Sequence, residues 1–254
     1  MSLSIIGYQN LLETATVTAT SEAVGFAIEN LYDGLAYDWW KPAAIGLHYI
    51  NIDLGSEKEV DYISIFAHNL GDTSSTVKLQ YDEDGLGNWT DATTTLTSEN
   101  GRVIFKTLTP FNKQFLRLEV DAQTAIPTIG IVNIGKSMQM QTGLPSGFIP
   151  PTMGMTNDYV NAKSDSGLLI GRSLIRKSNS TTIKANYVTP AWVRTTWMPF
   201  ISHAQVKPFF FSWDPERYPD EAVYCVTSKK ITPPKYSGSL HMNVSLKVEA
   251  WHEL

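Results

Sequence analysis

Cysteine is nearly absent: Cys225 is the single one in 254 residues. No intrachain disulfide can form, so the fold rests on packing, as expected of a protein made in a reducing cytosol. Cys225 sits in the apolar run Ala222-Val223-Tyr224-Cys225-Val226, where a free thiol packs as a small hydrophobe. The five histidines, His48, His68, His203, His241 and His252, are scattered. They form no H-E-x-x-H and no Cys/His cluster of zinc spacing. Gly85-Leu86-Gly87 lacks the third glycine and following helix of a dinucleotide site. There is no G-x-S-x-G elbow, and Asp214 and Glu216 are near in sequence, which does not set the glycosidase separation of about 5–10 Å. The sequence thus predicts no enzyme and no cofactor. Positive charge is also short, with 20 Lys and Arg against 25 Asp and Glu, net −5. Phosphate binding needs a basic face, so nucleic acid is disfavoured, and Arg176-Lys177 and Lys229-Lys230 do not reverse the balance. No apolar run approaches a membrane span. The N-terminal stretch lacks the basic and apolar regions of a secretory signal, which predicts synthesis in a cytoplasm and release by lysis or inside a particle.

What is present is a folding composition, 43% hydrophobic and 18% charged, with too little charge for long disorder. Residues 1–140 read as short strands between turn signals. Residues 14–20 are rich in β-branched side chains. Residues 48–54 alternate, with Ile50, Ile52 and Leu54 on one face and Tyr49, Asn51 and Asp53 on the other. Segments 60–67, 76–81, 102–106, 114–121 and 129–134 repeat the pattern. Such spacing predicts an antiparallel sandwich, not a parallel α/β sheet. Asp82-Glu83-Asp84-Gly85 is a hairpin turn and not an EF-hand, because the twelfth position is Thr93.

Gly and Pro punctuate residues 141–151, predicted as a stiff linker to a second domain, 152–254. There, 167–175 and 181–188 read as a hairpin. Thr189 is a natural N-cap with Pro190 at the first helical position. Val193, Trp197, Phe200, Ile201 and Ala204 form one apolar stripe at the 3.6 period, predicting a helix near 190–204 that lies on a sheet. Pro199 should kink or split it. Residues 209–213 are apolar on both faces and predict a strand covered on both sides. Residues 221–227 form another. In the last strand Leu240, Met242, Val244, Leu246 and Val248 face one way. The fold class is all-β and mainly antiparallel, a jelly-roll sandwich followed by a β domain carrying one packed helix.

The series Phe26-Ala27-Ile28-Glu29-Asn30-Leu31-Tyr32-Asp33-Gly34, Trp39-Trp40 and Tyr49-Ile50-Asn51-Ile52-Asp53-Leu54-Gly55 resembles the opening of discoidin-type, galactose-binding-like jelly rolls. The hairpin ending in Trp89 is similar to theirs as well. That resemblance implies a structural calcium near Asp33, with Asn133 standing where the family carries a glutamate. It also implies a sugar site on loops at one end, for which Tyr37, Trp39, His48, Asn69 and Trp89 are the candidates. Adjacent tryptophans on an extended segment point opposite ways, which assigns Trp40 to the core and Trp39 to the platform.

Residues 152–254, through Gly171-Arg172-Ser173, Thr189-Pro190-Ala191-Trp192, Pro208-Phe209-Phe210-Phe211-Ser212-Trp213 and Tyr218-Pro219-Asp220, resemble the tube-like β domain of tail-tube and distal-tail proteins of long-tailed bacteriophages. Familiar distal tail proteins carry the ring domain first, and here the order is reversed. The resemblance implies a homo-oligomeric ring at the tail tip of a virion, assembled through the long strands, with Leu240, Met242, Val244, Leu246 and Val248 as assembly residues. Its partners would be further copies, other tail proteins and a cell-surface carbohydrate, without membrane insertion. The alternative is a free carbohydrate-binding module or lectin of bacterial origin.

Overall fold

The computed structural model describes residues 3–83, 85–99 and 101–252. Asp84, in the predicted hairpin turn, lies outside them. Among the described residues, β2 (Thr16–Ala19), β3 (Gly46–His68), β4 (Thr76–Asp82), β5 (Trp89–Asp91), β6 (Ile104–Ala122) and β7 (Ile129–Gly135) form one antiparallel sheet in the order β2-β3-β6-β4-β5, with β7 also on β3. The segments 48–54 and 60–67, expected as separate strands, are the two halves of β3, and 102–106 and 114–121 fall largely in β6. The ladder between β3 and β6 shifts register between Asp53 and Lys58, where Gly55 takes φ +71°. Bulges bend a strand without ending it, so one ribbon supplies both layers of the sandwich. Trp40, Ile50, Ile52, Val77, Leu79, Leu116 and Leu118 meet Ile63, Ile65, Val132 and Ile134 in the core between them.

The strands flanking this sandwich belong elsewhere. β1 (Ile5–Gly7) pairs with β8 (Met138–Gln139) and with β11 (Phe209–Ser212), in a second sheet that also holds β9 (Met155–Lys163), β10 (Leu169–Val188), β12 (Val223–Thr227), β13 (Lys235–Ser237) and β14 (His241–Trp251). Segments 1–140 and 152–254 therefore share a sheet. The stretch 141–151 is laid against that sheet, with Phe148 against Phe211 and Trp213 and the Thr142 hydroxyl donating to the Asn186 carbonyl.

The predicted hairpin between 167–175 and 181–188 is corrected: both lie in the 20-residue strand β10. Its first half pairs with β9, which the sequence reading missed, and its second half with β14. The helix runs without a break over 190–204. The Thr189 hydroxyl accepts from the Trp192 N–H, and Val193, Trp197, Phe200, Ile201 and Ala204 are buried. Pro199 does not split it, because a π segment over Val193–Trp197 precedes the proline. Proline clashes with the carbonyl four residues back, here Thr195, and a wider π turn displaces that group.

Phe209 and Phe211 pack under the helix, while Phe210 faces the sandwich, so β11 is covered on both sides. Around Phe210 runs an aromatic seam of Tyr62, Phe66, Phe105, Ile131, Ala222 and Tyr224. Phe66 and Tyr224 stack with centroids 4.9 Å apart, and Tyr62 stacks on Phe105 at 5.5 Å. The Tyr62 hydroxyl donates to the Gln9 carbonyl at 2.7 Å and that of Tyr224 to the Gly34 carbonyl at 2.9 Å. Burial pushes both phenols well above their usual range. A Cβ on Gly7 would overlap the Tyr62 ring, so the close approach of β1 to the sandwich requires glycine.

Candidate functional site

The sandwich face turned away from its core has an ordered chemistry. Strand pairing sets two rows across five strands: Thr18, Asn51, Arg117, Gln80 and Asp91, then Thr16, Asp53, Phe115, Asp82 and Trp89. The Arg117 guanidinium lies 4.2 Å from the Tyr49 ring centroid and 4.3 Å from that of Trp89, a double cation–π contact. Its Nε donates to the Gln80 side-chain oxygen at 2.6 Å, and Gln80 donates to Asp91 at 2.6 Å. That bond first, and then Lys78, hold the Asp91 carboxyl below the ordinary carboxylate range. Beside this stack a cleft of about 240 Å³ is lined by Thr16, Thr18, Asn51, Asp53, Asp82 and Trp89 among others. Asp53 accepts from the Gln114 side chain and the Gly55 N–H, each at 2.8 Å, and these bonds lower its pKa. The face presents rigid rings, ionised acceptors and amides.

The structure disperses the residues proposed from sequence. Trp89 is part of the Arg117 stack. Trp40 is in the sandwich core and Trp39 points the other way, as expected, but into the aromatic seam and not onto an open platform. Tyr37 is 71% exposed. His48 is buried, with its Nε2 at 2.8 Å from the Ala44 carbonyl. The Asn69 side-chain oxygen accepts from the Thr128 N–H at 2.7 Å, so it braces a loop. Tyr49, Asn51, Asp53, Gln80 and Arg117 were missed as a set. The outward alternation of Tyr49, Asn51 and Asp53 was legible, whereas their neighbours on β4, β5 and β6 depend on register.

The residues assigned to assembly also move. Met242, Val244, Leu246 and Val248 are buried beneath the helix, because their face of β14 is the core face. Leu240 precedes the strand and is 73% exposed. A continuous run of exposed apolar side chains lies on β9 and the first half of β10. There Met155, Tyr159, Val160, Leu168, Leu169, Ile170, Leu174 and Ile175 are all exposed, and among the described residues no strand pairs with the outer edge of β9.

For calcium, Asp33 is joined by Asp38, whose proximity, after burial, raises the Asp33 pKa. The Asn133 side-chain oxygen accepts from the Asn10 amide at 3.0 Å, so it is already committed. Among the described residues no three His, Cys, Asp or Glu converge. Two carboxylates make a poor fit to a cation that takes six to eight oxygens. His68 and His203 each set Nε2 against a main-chain carbonyl, as His48 does, and His252 does so through Nδ1. The Cys225 thiol is buried, which pushes its pKa well up.

Comparison with known families bears on the first lobe. Residues 16–132 match the model of the F5/8 type C domain family. The discoidin-type sandwich is thereby supported from β2 into β7. No curated protein matches the chain. Among solved structures, chitosan-binding module 1 from a chitosanase/glucanase of Paenibacillus sp. IK-5 is 22% identical, with a TM-score of 0.43 over 50% of this chain and 99% of that one. A GH29 fucosidase of Ruminococcus gnavus in complex with fucose is 20% identical, with a TM-score of 0.45 over 51% of this chain. The match spans 27% of the fucosidase.

Proposed function

We propose that this chain is a non-catalytic structural protein of a bacteriophage tail tip, made in the host cytoplasm, which assembles with copies of itself into a ring and displays its sandwich as a saccharide-binding unit. The observation that carries the assembly reading is the β9–β10 arm. An isolated two-stranded hairpin is marginal in water, and this one spans about 30 Å at the ordinary strand rise with apolar side chains exposed along it. An open apolar edge of this kind is a template for pairing with another chain. Charge favours a second copy as the occupant. Residues 155–178 hold four basic and two acidic side chains, net +2, so the chain total of −5 leaves −7 on the remainder. A basic arm and an acidic body attract between copies and orient the contact. A closed ring follows if each arm meets the next body through a rotation that closes.

The test is light scattering with negative-stain imaging of the whole chain, compared with Leu169→Lys/Ile170→Lys. The chain is kept whole because a cut at Gly147 would separate β1 and β8 from the rest of their sheet. A ring in the parent and a monomer in the variant is the expected result. A parent that stays monomeric at high concentration, and on mixing with isolated phage tail tubes, would remove the assembly reading. The second reading, a free carbohydrate-binding module, is favoured by the F5/8 type C match itself and would then stand alone.

A further inference from the structure

We propose that saccharide is held on the outward sheet face beside the Tyr49–Arg117–Trp89 stack, not at the loop end, and that it is a neutral or amino sugar and not an acidic one. This inference rests on the saccharide-binding reading above and adds the site and the ligand class.

Three features converge there. Trp89 is held by Arg117 on one side of the cleft, and a ring fixed in place by its neighbours loses little freedom when a flat apolar ligand face stacks on it. Around it stand groups suited to hydroxyls: the Asp53 carboxylate, the Asn51 amide, and the hydroxyls of Thr16 and Thr18, while the buried Asp82 carboxylate already accepts from the Gly87 N–H at 2.7 Å. The two bonds to Asp53 both land on Oδ1, which leaves Oδ2 as an acceptor for a sugar hydroxyl or ammonium. The charge pattern then selects. A uronate or sialate entering the cleft would meet Asp53 and Asp82, with Asp91 close by, while the Arg117 guanidinium is stacked between two rings. Like-charge approach of this kind rejects a ligand strongly. The loop-end candidates show no such convergence, since the His48 and Asn69 side chains are bonded to the chain's own backbone and Trp39 is in the seam.

The experiment is native affinity electrophoresis of the full chain in gels containing galactomannan, glycol chitosan or polygalacturonate. Retardation is expected with galactomannan or glycol chitosan and not with polygalacturonate. Trp89→Ala and Thr18→Trp should each weaken it at least tenfold, a loss of about 1.4 kcal/mol. Tyr37→Ala should leave it unchanged. Thr18 is exposed on an edge strand, so filling the cleft from there stays readable if Trp89→Ala weakens the sheet. Retardation by polygalacturonate alone overturns the ligand class. Retardation lost in Tyr37→Ala but kept in both cleft variants overturns the site while the saccharide reading survives. No retardation in any gel overturns both.

Discussion

The seam between the lobes and the β9–β10 arm are both apolar surfaces on strands, and they have opposite fates. At the seam, Phe66, Phe210 and Tyr224 are covered by the other lobe of the same chain, and each buried phenol finds a carbonyl. On the arm, Leu169, Ile170 and Ile175 are 61–70% exposed, and among the described residues no strand covers the outer edge of β9. Burial that a chain completes by itself stabilises its monomer. Apolar surface that it leaves uncovered marks an interaction site. The seam therefore makes two lobes into one body, and the arm is the surface on which the proposed assembly rests.

The largest expected effect is at the seam. Phe210→Ala removes a fully buried ring whose centroid lies 5.1 Å from that of Tyr224, and should cost about 3–5 kcal/mol in urea unfolding. A loss below about 1 kcal/mol would mean that the lobes part freely and that the seam, like the arm, is an optional contact.

Next is a pH effect at the seam's rim. His68 follows Ala67, a seam residue, and its Nε2 donates to the Arg102 carbonyl at 2.8 Å while its Nδ1 accepts from the Leu70 N–H. Only the neutral ring satisfies both bonds, and burial lowers its pKa to about 4. The unfolded ring titrates near 6.5, so the unfolded state takes up the proton first as pH falls. Stability from this group is complete above about pH 6.5 and is lost toward pH 4, by at most about 3 kcal/mol. Asp33 and Asp61 have raised values, chiefly from burial, and act in the opposite sense by losing stability as pH rises. His68→Gln separates the two, since the variant should show a shallower loss between about pH 6.5 and pH 4.5. An unchanged slope would remove His68 as the cause.

Trp39 sharpens the same comparison at lower cost. Its ring is partly buried against the seam, so Trp39→Ala should lower stability by about 2 kcal/mol, roughly half the cost of deleting a fully buried ring. A variant that melts like the parent would return Trp39 to the surface.

How much was legible in the sequence follows from which interactions are local. The helix was readable because its cap, its proline and its apolar stripe are set by neighbours three to eight residues apart. The alternation in 48–54 correctly separated Ile50 and Ile52 from Tyr49 and Asn51. Register between strands distant in sequence was not readable. Arg117 reaches Tyr49 and Trp89 only because β6 lies between β3 and β4, and nothing in 114–121 announces that order. The same limit hid β1, whose three residues carry no periodic signal and whose partners lie more than 130 residues away. The face of β14 assigned to assembly was identified correctly as apolar, but an apolar face does not say whether the chain's own helix will cover it.

The smallest expected effect on stability is the sharpest test of the comparison. In Leu169→Lys/Ile170→Lys both side chains are exposed and lie on the arm far from the helix-covered core. Exposed substitutions of this kind usually change stability by no more than about 0.5 kcal/mol, so the urea midpoint of the dilute monomer should stay where it is. Two added charges on an apolar edge are the device by which sheet edges avoid pairing, so association should be lost while folding is kept. Each half of that outcome can fail separately. If the variant unfolds early, the arm is covered by its own chain in solution and belongs with the seam. If it folds normally and still associates, the contact between copies lies elsewhere, and the −7 body has a partner other than the arm.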